Sequence, residues 1–267
     1  MPPEPLTLPL LTHALDSPSA FTPQALLHAV RTERNLPPHP VPEVCLLEFD
    51  GDLTDWLVKT GHASPFTPWA CFHTSMYSVD VDGHRIGVIA RTIGGPYAVL
   101  IAEQLAASGA RVILGLTSAG RVSPALPIPS LVLPVSALRD EGTSYHYLPA
   151  AETVDGDPRL AALLRDELST LPLPVVTGTV WTTDAPYRET ASQLQRHAQD
   201  GVLAVEMQAA SLFAFGAARL VPCGVVAHVT NGAGLSPTDQ FDKGAHQLAF
   251  DILKAMSRAA RRRLDNR

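Results

Sequence analysis

Glu206, Met207 and Gln208 place a carboxylate and an amide inside the apolar stretch Ala204 to Ser211. Buried polar side chains need partners. A vicinal diol suits both groups, so this turn is a candidate sugar-binding element. A glutamate at a helix N-terminus, helped by the helix dipole, is the competing reading. Trp181 ends an apolar run just before Thr182-Thr183-Asp184. An aromatic ring there can stack on a base or pack in a core. Thr92-Ile93-Gly94-Gly95-Pro96 and Thr117-Ser118-Ala119-Gly120 are turns of small residues. Small residues let a ligand approach backbone N–H groups at a helix start. Two further polar turns run from Arg139 to Tyr147 and from His228 to Gly234. The first of these is dense in hydrogen-bonding groups and reads as a ligand-facing loop. Neither G-x-G-x-x-G nor a P-loop occurs, so dinucleotide or ATP binding of those types is unsupported.

These turns need elements to position them. Gln24 to Arg34 reads as a helix, with Thr22 as N-cap and Pro23 at its first position. Glu43 to Phe49 reads as a buried strand ending in the turn Asp50-Gly51-Asp52. Met76–Asp82 and Arg85–Arg91 read as a hairpin around Asp82-Gly83. Strands are then expected at Arg111–Leu116, Ser130–Leu138, Leu173–Trp181, Leu203–Glu206 and Pro222–Thr230. Helices are expected at Pro96–Ser108, Pro158–Thr170, Tyr187–Gln199, Met207–Arg219 and Phe241–Leu264. Alternating strands and helices argue for an α/β fold with a largely parallel sheet. In such a sheet ligands bind at the carboxyl ends of strands, where the four polar turns fall.

The 267 residues are 46% hydrophobic, which suits one large domain and excludes general disorder. The division expected is an N-terminal extension with one helix (residues 1–42) followed by the main domain (residues 43–267). The formal charge of −6 makes nucleic acid a poor main partner. The basic cluster Arg258 to Arg263 reads as the solvated end of a helix. Three cysteines without a CxxC spacing fit a reducing compartment and neither a disulfide framework nor a zinc site. The proline-rich N-terminus shows no signal peptide or membrane span, so a cytoplasmic protein is expected.

Taken together and in order, five segments resemble the nucleoside phosphorylase family. They are Thr92 to Pro96, Thr117 to Gly120, Asp140-Glu141-Gly142-Thr143-Ser144, the Glu206-Met207-Gln208 turn, and the strand before Asn231. The resemblance implies a single α/β/α domain with a twisted mixed central sheet. It implies phosphorolysis of an N-glycosidic bond to free base and ribose 1-phosphate. Phosphate is then a co-substrate, no further cofactor or metal is needed, and the chain is expected to form a homo-oligomer, either dimer-based, a trimer or a hexamer. Carried over by position, Glu206, Met207 and Gln208 bind sugar. Trp181, Ala119, Gly120, Tyr187 and Arg188 face the base. Thr92 and Ser118 bind phosphate, with Arg91 and Arg139 as substitute cations. Asn231, with His228 on the strand before it, assists the leaving base. An Asn hydrogen-bonds a ring nitrogen but cannot donate a proton as a general acid.

Departures from the family pattern fall on the phosphate half. The arginine-bearing loop after the first strand is here Glu48-Phe49-Asp50-Gly51-Asp52, which is acidic. Ile113 or Leu114, and Phe72 with His73, stand where two further arginines are expected. The second glutamate of the sugar turn is Gln208. A uridine-reading Gln and Arg appear as Ala185 and Tyr187, which leaves the base open. A hydrolytic nucleosidase, with Asp50 or Asp52 orienting water, and a nucleoside-binding protein without turnover are the alternatives.

Overall fold

The computed structural model describes residues 8–12, 14–233 and 244–266. In chain order the first elements are α1 (Pro23–Arg34), β1 (Val44–Glu48), α2 (Asp52–Lys59), β2 (Ala63–Pro65), β3 (Tyr77–Val81), β4 (His84–Ala90) and α3 (Gly95–Ala107). Next come β5 (Val112–Arg121), β6 (Ser130–Asp140), β7 (Thr153–Asp155), α4 (Pro158–Leu168), β8 (Val175–Thr183) and α5 (Ala191–Gln199). The last are β9 (Ala204–Glu206), α6 (Ala209–Arg219), β10 (Cys223–Gly232) and α7 (His246–Asp265).

Local chemistry sets many of these boundaries. Thr22 accepts the Ala25 N–H at 3.2 Å and Pro23 opens α1, while Asn35 in the left-handed region closes it. Asp157 caps α4 through the Leu160 N–H at 2.7 Å. Thr190 and Gln193 form a reciprocal capping box on α5. That cap starts α5 at Ala191, so Tyr187 lies before the helix, on a short 3-10 turn over Pro186–Arg188.

Beyond the later start of α5, three features differ from the sequence reading, and a fourth lies partly outside the described residues. Asp50-Gly51-Asp52 is a turn, but Asp52 also opens α2, which buries Leu53 and Leu57 one turn apart. The short strands β2 and β7 add antiparallel pairings to β3 and β6. β5 does not end at Leu116, because β10 keeps pairing with it as far as Arg121. Thr117 to Gly120 is therefore strand, not turn. The start expected for the C-terminal helix, Phe241 to Lys243, lies outside the described residues, and α7 begins at His246.

The sheet is mixed. β1–β4, β1–β5, β5–β10, β6–β8 and β8–β9 pair in parallel. β3–β4, β6–β10 and β5–β9 pair antiparallel. The set β5, β10, β6, β8 and β9 closes back on β5, and β1, β4, β3 and β2 extend from its other flank. Alternate residues of β1 serve opposite cores. Cys45 and Leu47 join the cluster that includes α3 and α6 residues, whereas Val44 and Leu46 join the one that includes α4 and α7 residues. The result is a three-layer α/β/α domain. Burial on both faces explains why the central strands read as unbroken apolar runs. Each fully buried Leu, Ile or Val contributes about 1.5–3 kcal/mol relative to exposure. α1 packs on this body through Leu27 and Val30, with Ala107 of α3 alongside. Among the described residues no helix is long and apolar enough to cross a membrane.

Candidate active site

The last residues of β5 form the spine of the site. Ser118 lies opposite His228 on β10, and Ala119 opposite Val229. Gly120 pairs with Asn231 on one side and with Val205 of β9 on the other. A register shift between Val229 and Asn231 makes Thr230 an extra residue and re-aims Asn231. Glu206 in turn pairs with Thr182 of β8. Strand register alone thus gathers segments that are far apart in sequence.

A cavity of about 350 Å³ opens here. β5 contributes Ser118, Ala119 and Gly120 to its lining, and β10 contributes Asn231. Glu206, Met207 and Gln208 enter from the β9–α6 junction, and Tyr187 from the β8–α5 connection. Asp50, Pro186 and Glu189 also line it. Sequence reasoning assigned no ligand role to Pro186 or Glu189, although Glu189 follows Tyr187 and Arg188 directly.

The sugar turn divides into two jobs. Glu206 Oε2 accepts the N–H groups of Gln208 (2.7 Å) and Ala209 (2.8 Å). Its Oε1 accepts the Thr182 hydroxyl, whose oxygen takes the Ala210 N–H at 3.0 Å. Glu206 therefore satisfies the orphan donors at the start of α6. Burial pushes its carboxyl up to about 7, against the lowering effect of these bonds. Gln208 Oε1 accepts the Met207 N–H at 3.2 Å, and its amide nitrogen donates to no described residue. Gln208, rather than the Glu206 carboxylate, is thus the polar group of the turn left for a ligand.

At the other end, Asp50 engages Ser118 twice. Its Oδ2 accepts the Ser118 N–H at 3.1 Å and its Oδ1 accepts the hydroxyl at 3.0 Å. Glu48, buried beneath the same loop, accepts the N–H groups of Gly51 (2.7 Å) and Thr54 (3.3 Å) and the Thr54 hydroxyl (2.9 Å). Burial raises its carboxyl above the ordinary range. Gly51 has φ +100°, and a Cβ there would lie 2.8 Å from the Arg91 side chain. Arg91 lies across the loop, pairs with Asp55, and is well exposed. It is not among the residues lining the 350 Å³ cavity.

Five further sequence candidates lie elsewhere. Trp181 is 1% exposed, donates Nε1–H to Asp140 at 2.9 Å, and packs on the His197 ring at 4.6 Å. Its ring belongs to the core with Val122, Val202 and Val205 and is no platform for a base in this cavity. Arg139 is buried; it donates to the Ser144 hydroxyl (2.8 Å) and to the carbonyls of Pro149 (2.7 Å) and Leu148 (3.2 Å). Those bonds fold the Arg139–Tyr147 segment onto itself, so its polar density is largely structural. Arg188 lines a different cavity of about 850 Å³, together with Arg139 and Trp181. Thr92 is fully buried, and its hydroxyl has no hydrogen-bond partner among the described residues. His228 opens to a small adjoining cavity of about 60 Å³ shared with Asp50, Asp52 and His246. The Gly-Gly-Pro turn also has a packing reason. A Cβ at Gly95 would fall 2.1 Å from the Ser211 hydroxyl, so glycine lets α3 approach α6.

The chain is similar in sequence to several proteins of other organisms. It is 24% identical over 191 residues to uridine phosphorylase of Salmonella typhimurium, covering 66% of this chain and 72% of the relative. It is 30% identical over 115 residues to uridine phosphorylase of Thermococcus kodakarensis, 43% of this chain and 40% of the relative. It is 25% identical over 152 residues to guanosine phosphorylase of Halorubrum lacusprofundi, 55% of this chain and 61% of the relative. The family model described as the phosphorylase superfamily matches residues 24–262, nearly the whole chain, and so embraces α1 as well as every strand that builds the site. With its α/β/α layers and mixed sheet, this chain belongs to the phosphorylase superfamily.

Proposed function

We infer that this chain cleaves the N-glycosidic bond of a nucleoside by phosphorolysis, releasing free base and ribose 1-phosphate. The carrying observation is that the sugar turn, Gly120, Tyr187 and Asn231 share one cavity at the end of β5. The Gln208 amide holds a sugar hydroxyl, and the Met207 side chain packs against the ribose. Tyr187 covers the base, and the Asn231 amide hydrogen-bonds a ring nitrogen as the base departs. The Ser118 N–H and hydroxyl take a phosphate oxygen once Asp50 releases them. On this reading the enzyme serves nucleoside salvage in the cytoplasm as a homo-oligomer and needs no cofactor beyond phosphate.

Transfer to water is a second reading, favoured by one observation. Asp50 already holds both donors of Ser118, at 3.1 and 3.0 Å, and a carboxylate there can orient water. Incubating a nucleoside panel with and without phosphate, and identifying the products, tests both readings. Phosphate-dependent ribose 1-phosphate supports phosphorolysis. Free ribose made without phosphate supports hydrolysis. Nucleoside binding without base release would overturn turnover altogether.

A further inference from the structure

Three carboxylates line the sugar-turn cavity: Asp50, Glu189 and Glu206. Two are committed, Asp50 to Ser118 and Glu206 to Thr182 and the first N–H groups of α6. The third is Glu189, half-buried in the connection from β8 to α5. Its carboxylate makes no hydrogen bond or ion pair with any described residue. Burial with no donor nearby raises its carboxyl above the ordinary range. Withdrawing a carboxylate from water without a donor is costly, and N–H groups of a ligand recover that cost. Two residues earlier, Tyr187 is fully exposed and lines the same cavity. A flat ring and an acceptor pair thus flank one space, suited to the face and the edge of a heterocycle.

Resting on the reading that this cavity binds nucleosides, we propose that Glu189 reads the edge of the base and selects one with two adjacent N–H donors. A lactam N–H beside an exocyclic amino group, as in guanine, meets that demand. An ionised carboxylate only accepts, and its two oxygens take two parallel N–H bonds. Uracil presents one N–H between two carbonyl oxygens, which face the carboxylate lone pairs. Adenine and cytosine present an amino group beside a ring acceptor. Hypoxanthine keeps the N–H and lacks the amino group. The preference is therefore guanosine, then inosine, with uridine, adenosine and cytidine behind. A site built to pair two donors rejects analogues that leave it unpaired.

The test measures kcat/KM and, separately, calorimetric affinity for guanosine, inosine and uridine with the full chain and its Glu189→Gln variant. The wild type is expected to favour guanosine over inosine and uridine by about tenfold or more. Glu189→Gln is expected to lower the guanosine value by about tenfold or more and to move uridine by less than about threefold. Matched circular dichroism checks that the variant is folded. A wild type that prefers uridine, or a variant that weakens all three alike, would overturn the inference. Guanosine-selective binding without cleavage would support it while rejecting turnover. Equal binding of all nucleosides would reject this inference alone, and binding of none would reject the nucleoside reading with it.

Discussion

Asp50 accepts both hydrogen-bond donors of Ser118, the N–H at 3.1 Å and the hydroxyl at 3.0 Å. The pairing ties the β1–α2 loop to the end of β5. It also sets a carboxylate on the donors that an incoming anion would use.

Replacing Asp50 by alanine frees those donors. On the phosphorolysis reading, the KM for phosphate is expected to fall by about three- to tenfold, since a like charge leaves the acceptor end. The KM for nucleoside stays nearly constant. Steady-state kinetics at varied phosphate check this, and a variant that loses turnover without regard to phosphate would instead fit water as acceptor.

Gln208→Glu restores an ionised acceptor to the sugar turn, where the Gln208 amide nitrogen donates to no described residue. Bonds from hydroxyls to a carboxylate are roughly twice as strong as those to an amide, so nucleoside KM is expected to drop by about three- to tenfold. An unchanged KM would place the sugar elsewhere. A ribonucleoside and its 2′-deoxy analogue, compared in both proteins, localise the contact.

The carboxyl of Glu206, pushed up to about 7 in the folded chain, couples stability to pH. Its ordinary value is 4.5, so between there and 7 the unfolded chain ionises while the folded chain keeps its proton. Stability is thus highest below 4.5, falls as pH rises, and levels off above 7. The full cost is of order 3 kcal/mol. Thermal melts from pH 4.5 to 8 are expected to slope downward over that window, and Glu206→Gln to flatten the slope. A variant as steep as the wild type would trace the slope to other groups.

Trp181→Phe separates a core residue from a base platform. Loss of the Nε1–H bond to Asp140 and of ring volume is expected to cost about 2 kcal/mol of stability. Nucleoside KM is expected to move by less than about twofold, because Trp181 does not line the sugar-turn cavity. A large rise in KM with unchanged melting would return the ring to the binding site.

Much of this fold is legible in the sequence, because apolar runs between Gly and Pro punctuation already show buried parallel strands. The caps Thr22 and Thr190 follow from local chemistry in the same way. What escapes is tertiary. Asp52 to Lys59 carries Leu53 and Leu57 at helical spacing, but the preceding Asp-Gly-Asp disguises it as a turn. Thr117 to Gly120 looks like a turn because its residues are small, yet β9 and β10 hold it extended. Arg139 and Trp181 have the right chemistry for a ligand. Only packing reveals that Ser144 and two carbonyls already take three of the five Arg139 N–H donors, and Asp140 the Trp181 N–H. Glu189 shows the reverse, an unremarkable glutamate made interesting because its carboxylate has no hydrogen-bond partner among the described residues.

The closure of β5, β10, β6, β8 and β9 on one another gives the site two tiers of mechanical character. Ala119, Gly120 and Val205 sit in the strand ladder, whereas Pro186 to Glu189 lies outside it on a short turn. Amide protons of the turn will exchange with solvent long before those of the ladder. A nucleoside bridging both tiers will slow exchange at Tyr187 to Glu189 and leave the ladder as it was. On the nucleoside reading, occupancy is thus legible at a few loop amides that lie outside the sheet.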